Sequence, residues 1–293
     1  MIRTALRRIF GHGPTRSGQG PMSADEAKTA KPAAESCENA LGEFVLNQLE
    51  AYSASVGGEV SGLASREFRE TVYRQTGLPH MNRAQQHFQT AMMPSFRHNL
   101  YDFYKAQEWL IFLNFISYPF QGSGCLDAQL VPYAESLNHA DRLRVLDYGA
   151  GIPYGLLSLL KEFPERVDSV CIVDLDLAHT YFIEYLIRKL APDAELRFHR
   201  LRNAQEIPEL GHSQYSMIYA KDVFEHVHDP ESLLTRLLDS CAAEQSVAFF
   251  DLRDHGPVTL QHVSPDLAGL NEVISERGFS ISTCDGLTRV VRT

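Results

Sequence analysis

From Arg142 onward, short apolar runs alternate with longer stretches whose apolar residues recur every three or four positions. The runs of five to seven residues read as strands and the periodic stretches as helices. Strands are predicted at Leu143–Asp147, Ser169–Asp174, Glu195–Leu201, Ser216–Ala220 and Ser246–Asp251, with helices between them at Pro153–Phe163, Leu177–Leu190 and Pro230–Ser240. Such alternation builds a parallel sheet covered by helices on both faces. A last helix, Pro265–Arg277, precedes Phe279–Cys284 and Leu287–Arg292, which Asp285-Gly286 separates as a hairpin turn would. The fold expected is therefore α/β: a doubly wound, mostly parallel seven-stranded sheet with an antiparallel terminal hairpin, preceded by an N-terminal helical region.

The first half is patterned differently. Leu41, Phe44, Val45, Leu49 and Tyr52 lie at helical spacing before Gly57-Gly58, and a second helix is expected over Leu63–Arg74. Gly77-Leu78-Pro79 and Met92-Met93-Pro94 read as turns. From Pro94 to Phe120 the chain is apolar around most of a helix circumference, so that helix is buried, as core or as a lid. Aromatic side chains at such spacing ordinarily pack as core. Tyr101 and Tyr104 are the two singled out as substrate contacts, because their hydroxyls can reach a ligand. Residues 1 to about 35 show no periodicity and read as a disordered tail. The expected division is a tail over 1–35, a helical lid or substrate region over 36–140 and a ligand-binding domain over 141–293.

Composition narrows the function. Residues 1–140 carry 12 Lys and Arg against 13 Asp and Glu, whereas residues 141–293 carry 15 against 24. The acidic half repels a polyanion, which argues against nucleic acid as a partner and suits a cationic ligand. Cys37, Cys125, Cys171, Cys241 and Cys284 are odd in number and contain no Cys-x-x-Cys pair, so neither a disulfide framework nor a zinc knuckle is indicated. A reducing, cytoplasmic location is expected. The richest apolar run, Trp109–Phe120, is interrupted by Asn114, Ser117 and Pro119 and is too short to span a membrane, so no membrane partner is expected. The start Met1–Phe10 lacks the apolar stretch of a secretory signal.

Candidate chemistry gathers at Leu143–Gly155. A strand ends in Asp147, Gly149 and Gly151 form a turn, and Pro153 suits the first turn of a helix. A strand, a glycine turn and a helix start form a ligand crevice at the carboxyl edge of a parallel sheet. The third glycine of a dinucleotide fingerprint would fall at position 154, which is Tyr154, and a carboxylate at Asp147 suits a cationic group better than a pyrophosphate. The next strand ends Ile172-Val173-Asp174, where a carboxylate can accept hydrogen bonds from both hydroxyls of a ribose. Asp176 is expected to cap the following helix.

Taken in order, these segments resemble the class I S-adenosylmethionine-dependent methyltransferases, whose fold is Rossmann-like. Val145–Gly151 is similar to the family's first motif and Ile172-Val173-Asp174 to its ribose-binding strand end. Arg202–Pro208 resembles the segment whose polar residue, Asn203 here, contacts the adenine amino group. Tyr215–Ala220 and Asp222–Val227 with Asp229-Pro230 resemble the fourth strand and its loop. Three positions depart from the pattern: Pro153 where a third glycine is frequent, Asn203 where Asp is frequent, and Ser216 where Asp often precedes the fourth strand. The resemblance implies S-adenosyl-L-methionine as cofactor, held by Asp147, Gly149, Gly151, Asp174, Leu175, Asn203 and Asp222.

The implied reaction is methyl transfer to an oxygen or nitrogen of a small organic molecule; methylation of a protein or peptide side chain, or binding of the cofactor without turnover, are the competing readings. An acceptor that must lose a proton needs a base. His226, after the fourth strand, and His255, after the fifth, have the right ordinary pKa for that role. His226 has a competing use in shaping the loop beneath the cofactor's methionine part, and His255 as a solvated loop residue. Arg253 is a candidate for an acidic substrate group, or pairs locally with Asp251 or Asp254. Asp222, Glu225, His226, His228, Asp251, Asp254, His255 and His262 share one sheet edge but fit no compact ligand spacing, so no metal is assigned.

Overall fold

The computed structural model describes residues 40–49, 51–52, 54–55, 100–106, 108, 112, 115–116, 130–136, 142–203, 205–242, 246–252, 265–284 and 287–292. The chain divides into two units, Met1–Phe88 with Leu113–Leu126 and Gln89–Phe112 with Asp127–Thr293. In the first unit, residues 40–49 are helical and bury Leu41, Val45 and Leu49 of the expected stripe, together with Leu46, while Phe44 and Tyr52 of that stripe are half-buried. The expected helix at 63–74, the turns at 77–79 and 92–94, the tail and the hairpin turn at Asp285-Gly286 lie outside the described residues.

The second unit contains the sheet. Its strands are β1 (Leu143–Tyr148), β2 (Val167–Leu175), β3 (Glu195–Leu201), β4 (Met217–Ala220), β5 (Val247–Phe250), β6 (Phe279–Cys284) and β7 (Leu287–Arg292), in the order β3-β2-β1-β4-β5-β7-β6. β3, β2, β1, β4 and β5 pair in parallel, and β7 runs antiparallel to both β5 and β6. The described helices of this unit are α1 (Leu100–Ala106), α2 (Leu130–Ser136), α3 (Tyr154–Glu162), α4 (Ala178–Leu190), α5 (Pro230–Ser240) and α6 (Leu267–Glu276). β3, β6, β7 and α5 have the bounds expected from the sequence, and the other elements of the sheet half differ by one or two residues at an end. The α/β architecture with a mostly parallel seven-stranded sheet and a terminal hairpin is thus the one the apolar pattern implies.

Strand alternation divides the core. Leu146 and Tyr148 of β1, Cys171 and Val173 of β2, Ile218 and Ala220 of β4, and Ala248 and Phe250 of β5 join one cluster with α5 and α6. The alternate residues, Val145, Val170, Ile172, Met217, Val247 and Phe249, are also buried, so the central strands are covered on both faces, as continuous apolar runs require. α3 packs against α4, and α5 against α6. Each buries an apolar stripe: Phe182, Ile183, Leu186 and Ile187 on α4, and Leu233, Leu234, Leu237 and Leu238 on α5. Asp229 caps α5 by accepting from the Ser232 N–H at 3.0 Å, and Asp266 caps α6 by accepting from Ala268 and Gly269.

The chain winds from β1 outward to β2 and β3, then crosses back to place β4 on the other side of β1. Strand order reverses between β1 and β4, and in an open α/β sheet the ligand crevice lies at the carboxyl ends of the strands at that reversal.

Candidate functional site

Asp147 and Tyr148 end β1 at this crevice, with Asp147 only 2% exposed. Gly149 (φ +70°) and Gly151 (φ +54°) take left-handed backbone, which side-chain-bearing residues adopt only at a cost. At Gly149 there is a second reason: a Cβ would come within 2.4 Å of Val223 Cγ2. This glycine therefore brings the β1 loop against the loop after β4. The Gly149 N–H donates to the Val173 carbonyl at 2.7 Å, so the turn continues the β1–β2 pairing beyond the last strand residue.

Asp174 stands across the crevice near the end of β2, where the sequence places it. Its Oδ2 accepts from the Gly151 N–H at 2.9 Å and lies 3.1 Å from His179 Nε2, while Oδ1 accepts from the Leu175 N–H at 2.6 Å. The carboxylate thus ties the glycine turn, β2 and the first turn of α4 together. Leu175 contributes its backbone N–H here and packs its side chain at the margin of the core.

Asp176 does not cap α4 as expected. The helix starts after Leu177, which makes no side-chain cap, and Asp176 instead accepts from the Tyr181 hydroxyl at 2.7 Å and from Arg202 Nε at 3.0 Å. Burial alone would raise the Asp176 carboxyl, but these two donors outweigh it and hold the group below its ordinary value. The capping task falls to Glu108, whose Oε1 accepts from the Ala178 N–H at 2.5 Å and whose Oε2 pairs with Lys105 at 2.7 Å.

α1 thereby reaches the tip of β2, and both of its predicted tyrosines are at the crevice. The Tyr101 hydroxyl donates to the Asp176 carbonyl at 3.2 Å. Tyr104 lies edge-on to the His226 ring, with centroids 6.4 Å apart and planes at 87°. Burial pushes the Tyr104 hydroxyl well above its ordinary pKa, and the carboxylates of Glu225 and then Asp174 push it further the same way. Its hydroxyl therefore stays protonated at neutral pH, a donor and not a base.

His226 closes the short 3₁₀ turn Phe224–His226 after β4. Its N–H donates to the Val223 carbonyl at 2.9 Å, and its own carbonyl accepts from Gln205 Nε2 at 3.2 Å. Gln205 Oε1 also accepts from the His228 N–H at 2.7 Å, so one side chain joins the β3 loop to the β4 loop. Asn203 uses its side-chain oxygen locally, accepting from the Gln205 N–H at 3.0 Å, and its exposed side chain lies beside the crevice. Asp222, in the turn after β4, sits at φ +51°, a left-handed conformation that Asp tolerates better than most residues. Arg253 and His255 lie outside the described residues.

Four participants escaped the sequence reading. His179 and Glu108 looked like ordinary helix positions; the signal for His179 was its placement five residues after Asp174, in the first turn of α4. Gln205 stood in the adenine-side segment without a role. Glu225 was counted only among dispersed acids, yet it is 4% exposed and its charge helps raise the Tyr104 hydroxyl. Among the described residues no three His, Cys, Asp or Glu side chains gather closely enough to hold a metal.

The donor set fits a cationic nucleoside: an acceptor carboxylate at the β2 tip, a glycine turn with backbone N–H groups, and buried acids around the reversal point. Residues 125–274, just over half of the chain, match the model of a methyltransferase domain family. No curated protein matches the chain by sequence. Among solved structures, an O-methyltransferase family protein from Burkholderia thailandensis aligns over 93% of this chain and 99% of its own at TM-score 0.53 and 10% identity. A putative S-adenosylmethionine-dependent methyltransferase from Listeria monocytogenes aligns over 56% of this chain and 98% of its own, at TM-score 0.41 and 9% identity. A putative sarcosine dimethylglycine methyltransferase from Galdieria sulphuraria aligns over 54% and 60%, at TM-score 0.40 and 18% identity. The Burkholderia likeness shows the fold, and the family match, falling on the same crevice-bearing half, shows the lineage: the chain belongs to the methyltransferase domain family and is a class I S-adenosylmethionine-dependent methyltransferase.

Proposed function

We propose that the enzyme methylates an oxygen or nitrogen of a small organic molecule, with the acceptor seated beneath α1. The observation that carries this reading is Tyr104, which lies against His226 and close to the Asp174 and Glu225 carboxylates. An aromatic roof over the strand tips favours an enclosed organic acceptor over an open groove for a protein surface. α1 belongs to the 36–140 region, which in this reading serves the substrate, while 141–293 carries the cofactor. Free thiols at the buried Cys171 and Cys241 favour a cytoplasmic setting.

S-adenosylmethionine supplies an electrophilic methyl group on a sulfonium. Toward it, Asp174 would accept from a ribose hydroxyl, Asn203 would serve the adenine side, and the Gly149–Gly151 turn with Asp147 and Asp222 would hold the methionine part. The enzyme's main contribution is alignment, which can lower a barrier by on the order of 7 kcal/mol or more. His226 takes the acceptor's proton where the acceptor has one to lose, which adds roughly 10²- to 10⁴-fold. Tyr104 donates a hydrogen bond that orients the acceptor.

The test uses methyl-labelled S-adenosylmethionine with a cell extract split by dialysis. Label is expected in the dialysable fraction. Label confined to retained protein would reject the small-molecule reading, and no transfer to either fraction would reject turnover on a cellular acceptor.

A further inference from the structure

A carboxylate offers about four lone-pair positions for hydrogen bonding. Among the described residues Asp174 fills three: Oδ2 takes the Gly151 N–H at 2.9 Å and His179 Nε2 at 3.1 Å, and Oδ1 takes the Leu175 N–H at 2.6 Å. The two backbone donors come from different elements, one from the glycine turn after β1 and one from β2. His179 approaches from α4, and its side chain is 1% exposed against 12% for Asp174. An ionised carboxylate only accepts, so Nε2 carries the proton of this bond. A buried imidazole cannot swing away as a surface side chain can, so this donor fixes the rotation of the carboxyl group and leaves the free position on Oδ1.

We infer that His179 is a positioning residue for cofactor recognition: it orients the Asp174 carboxylate so that the free position on Oδ1 is set toward a ribose hydroxyl before the cofactor arrives. The inference rests on the assignment of Asp174 to the ribose. Pre-orientation removes an ordering step from binding, and its effect is confined to ligands that use the carboxylate. A residue that merely fills space in α4 would instead affect every ligand alike.

That difference supplies the test. Calorimetry compares S-adenosylhomocysteine with its 2′,3′-dideoxyribose analogue on the full-length protein. His179→Phe keeps a ring in the site and removes the donor; it is expected to weaken S-adenosylhomocysteine about tenfold and to leave the dideoxy analogue within about threefold. His179→Gln, which keeps an N–H donor, is expected to restore most of the loss. Should His179→Phe not fold, His179→Asn, whose amide is too short for the bond, takes its place in the comparison. Equal weakening of both ligands, or no weakening of either, overturns the inference. Asp174→Ala separates the two assignments. If it abolishes the preference for the ribose hydroxyls while His179→Phe preserves it, only the role of His179 falls; if it too preserves the preference, the ribose assignment falls and the role of His179 with it.

Discussion

Replacing Gly149 by alanine places a Cβ 2.4 Å from Val223 Cγ2 and asks an L-residue to hold φ +70°. Two separable penalties follow. The left-handed backbone costs roughly 1–2 kcal/mol for a side-chain-bearing residue. Forcing a methyl into a filled contact adds about 1–3 kcal/mol, because Val223 is 6% exposed and has little freedom to move. The sum, about 2–5 kcal/mol, is a large fraction of the roughly 5–15 kcal/mol that holds a typical domain together. Val223→Ala removes the struck methyl groups and costs about 2 kcal/mol by itself. In the double variant the collision is gone but the backbone penalty remains, so its destabilisation should fall short of the sum of the two singles by about 1–3 kcal/mol. Urea unfolding of the four proteins measures this coupling directly. Additivity within about 0.5 kcal/mol would show that Val223 is not what the glycine makes room for. The same variants have a functional consequence. Displacing the turn lengthens the 2.9 Å bond from Gly151 to Asp174, so affinity for S-adenosylhomocysteine should drop in Gly149→Ala and partly return in the double variant.

Glu108→Ala deprives α4 of its N-terminal acceptor and should cost about 1 kcal/mol, a fall of about 2–4 °C in Tm for a chain of this size; an unchanged Tm would mean that water replaces the carboxylate without loss. The depressed Asp176 carboxyl gives a pH signature. A group whose folded pKa is lowered stabilises the protein above its unfolded value of about 3.9, and the contribution disappears as pH falls through the lower folded value. Tyr181→Phe should therefore lower Tm at pH 7, with the gap from the parent narrowing as the solution is acidified below the ordinary aspartate range; a gap that persists there would assign the effect to packing instead of the hydrogen bond.

The sheet was legible because its central strands are buried on both faces. Burial on two sides demands a mostly apolar run, so Val145-Leu146 and Val170–Val173 mark β1 and β2 without any tertiary information, and the expected Leu143–Asp147 and Ser169–Asp174 fall short of the observed strands by one residue and by three. Asp147, the two glycines and Asp174 were legible for a related reason: they end strands, and strand ends at the order reversal face the crevice whatever surrounds them. The cap of α4 was not. A local rule assigns Asp176 to the N-terminus of the next helix, but Arg202, 26 residues on, and Tyr181, one helical turn into α4, compete for its oxygens and win. The replacement acceptor is Glu108, 70 residues earlier in the chain, and no spacing rule reaches that far. Tyr104 was legible as a residue type but not as a neighbour of His226, since only the docking of α1 brings them together.

Those long-range contacts converge on one place. Tyr101 bonds the backbone of Asp176, Glu108 holds the first N–H of α4, and His179 in the first turn of that helix holds Asp174. α1, the proposed roof over the acceptor, is therefore joined through Tyr101 to the segment that leads into α4, whose His179 meets Asp174, the carboxylate proposed for the ribose. Loosening the hold of Glu108, two residues beyond α1, should be felt at the cofactor before any substrate contact is lost, because the α4 turn carrying His179 loses its cap at the same moment. In Glu108→Ala the affinity for S-adenosylhomocysteine should fall together with Tm, whereas the dideoxy analogue, which makes no use of Asp174, should bind as it does to the parent. A loss shared equally by both ligands would mean that α1 supports the crevice as a whole and not through the path from Glu108 to His179.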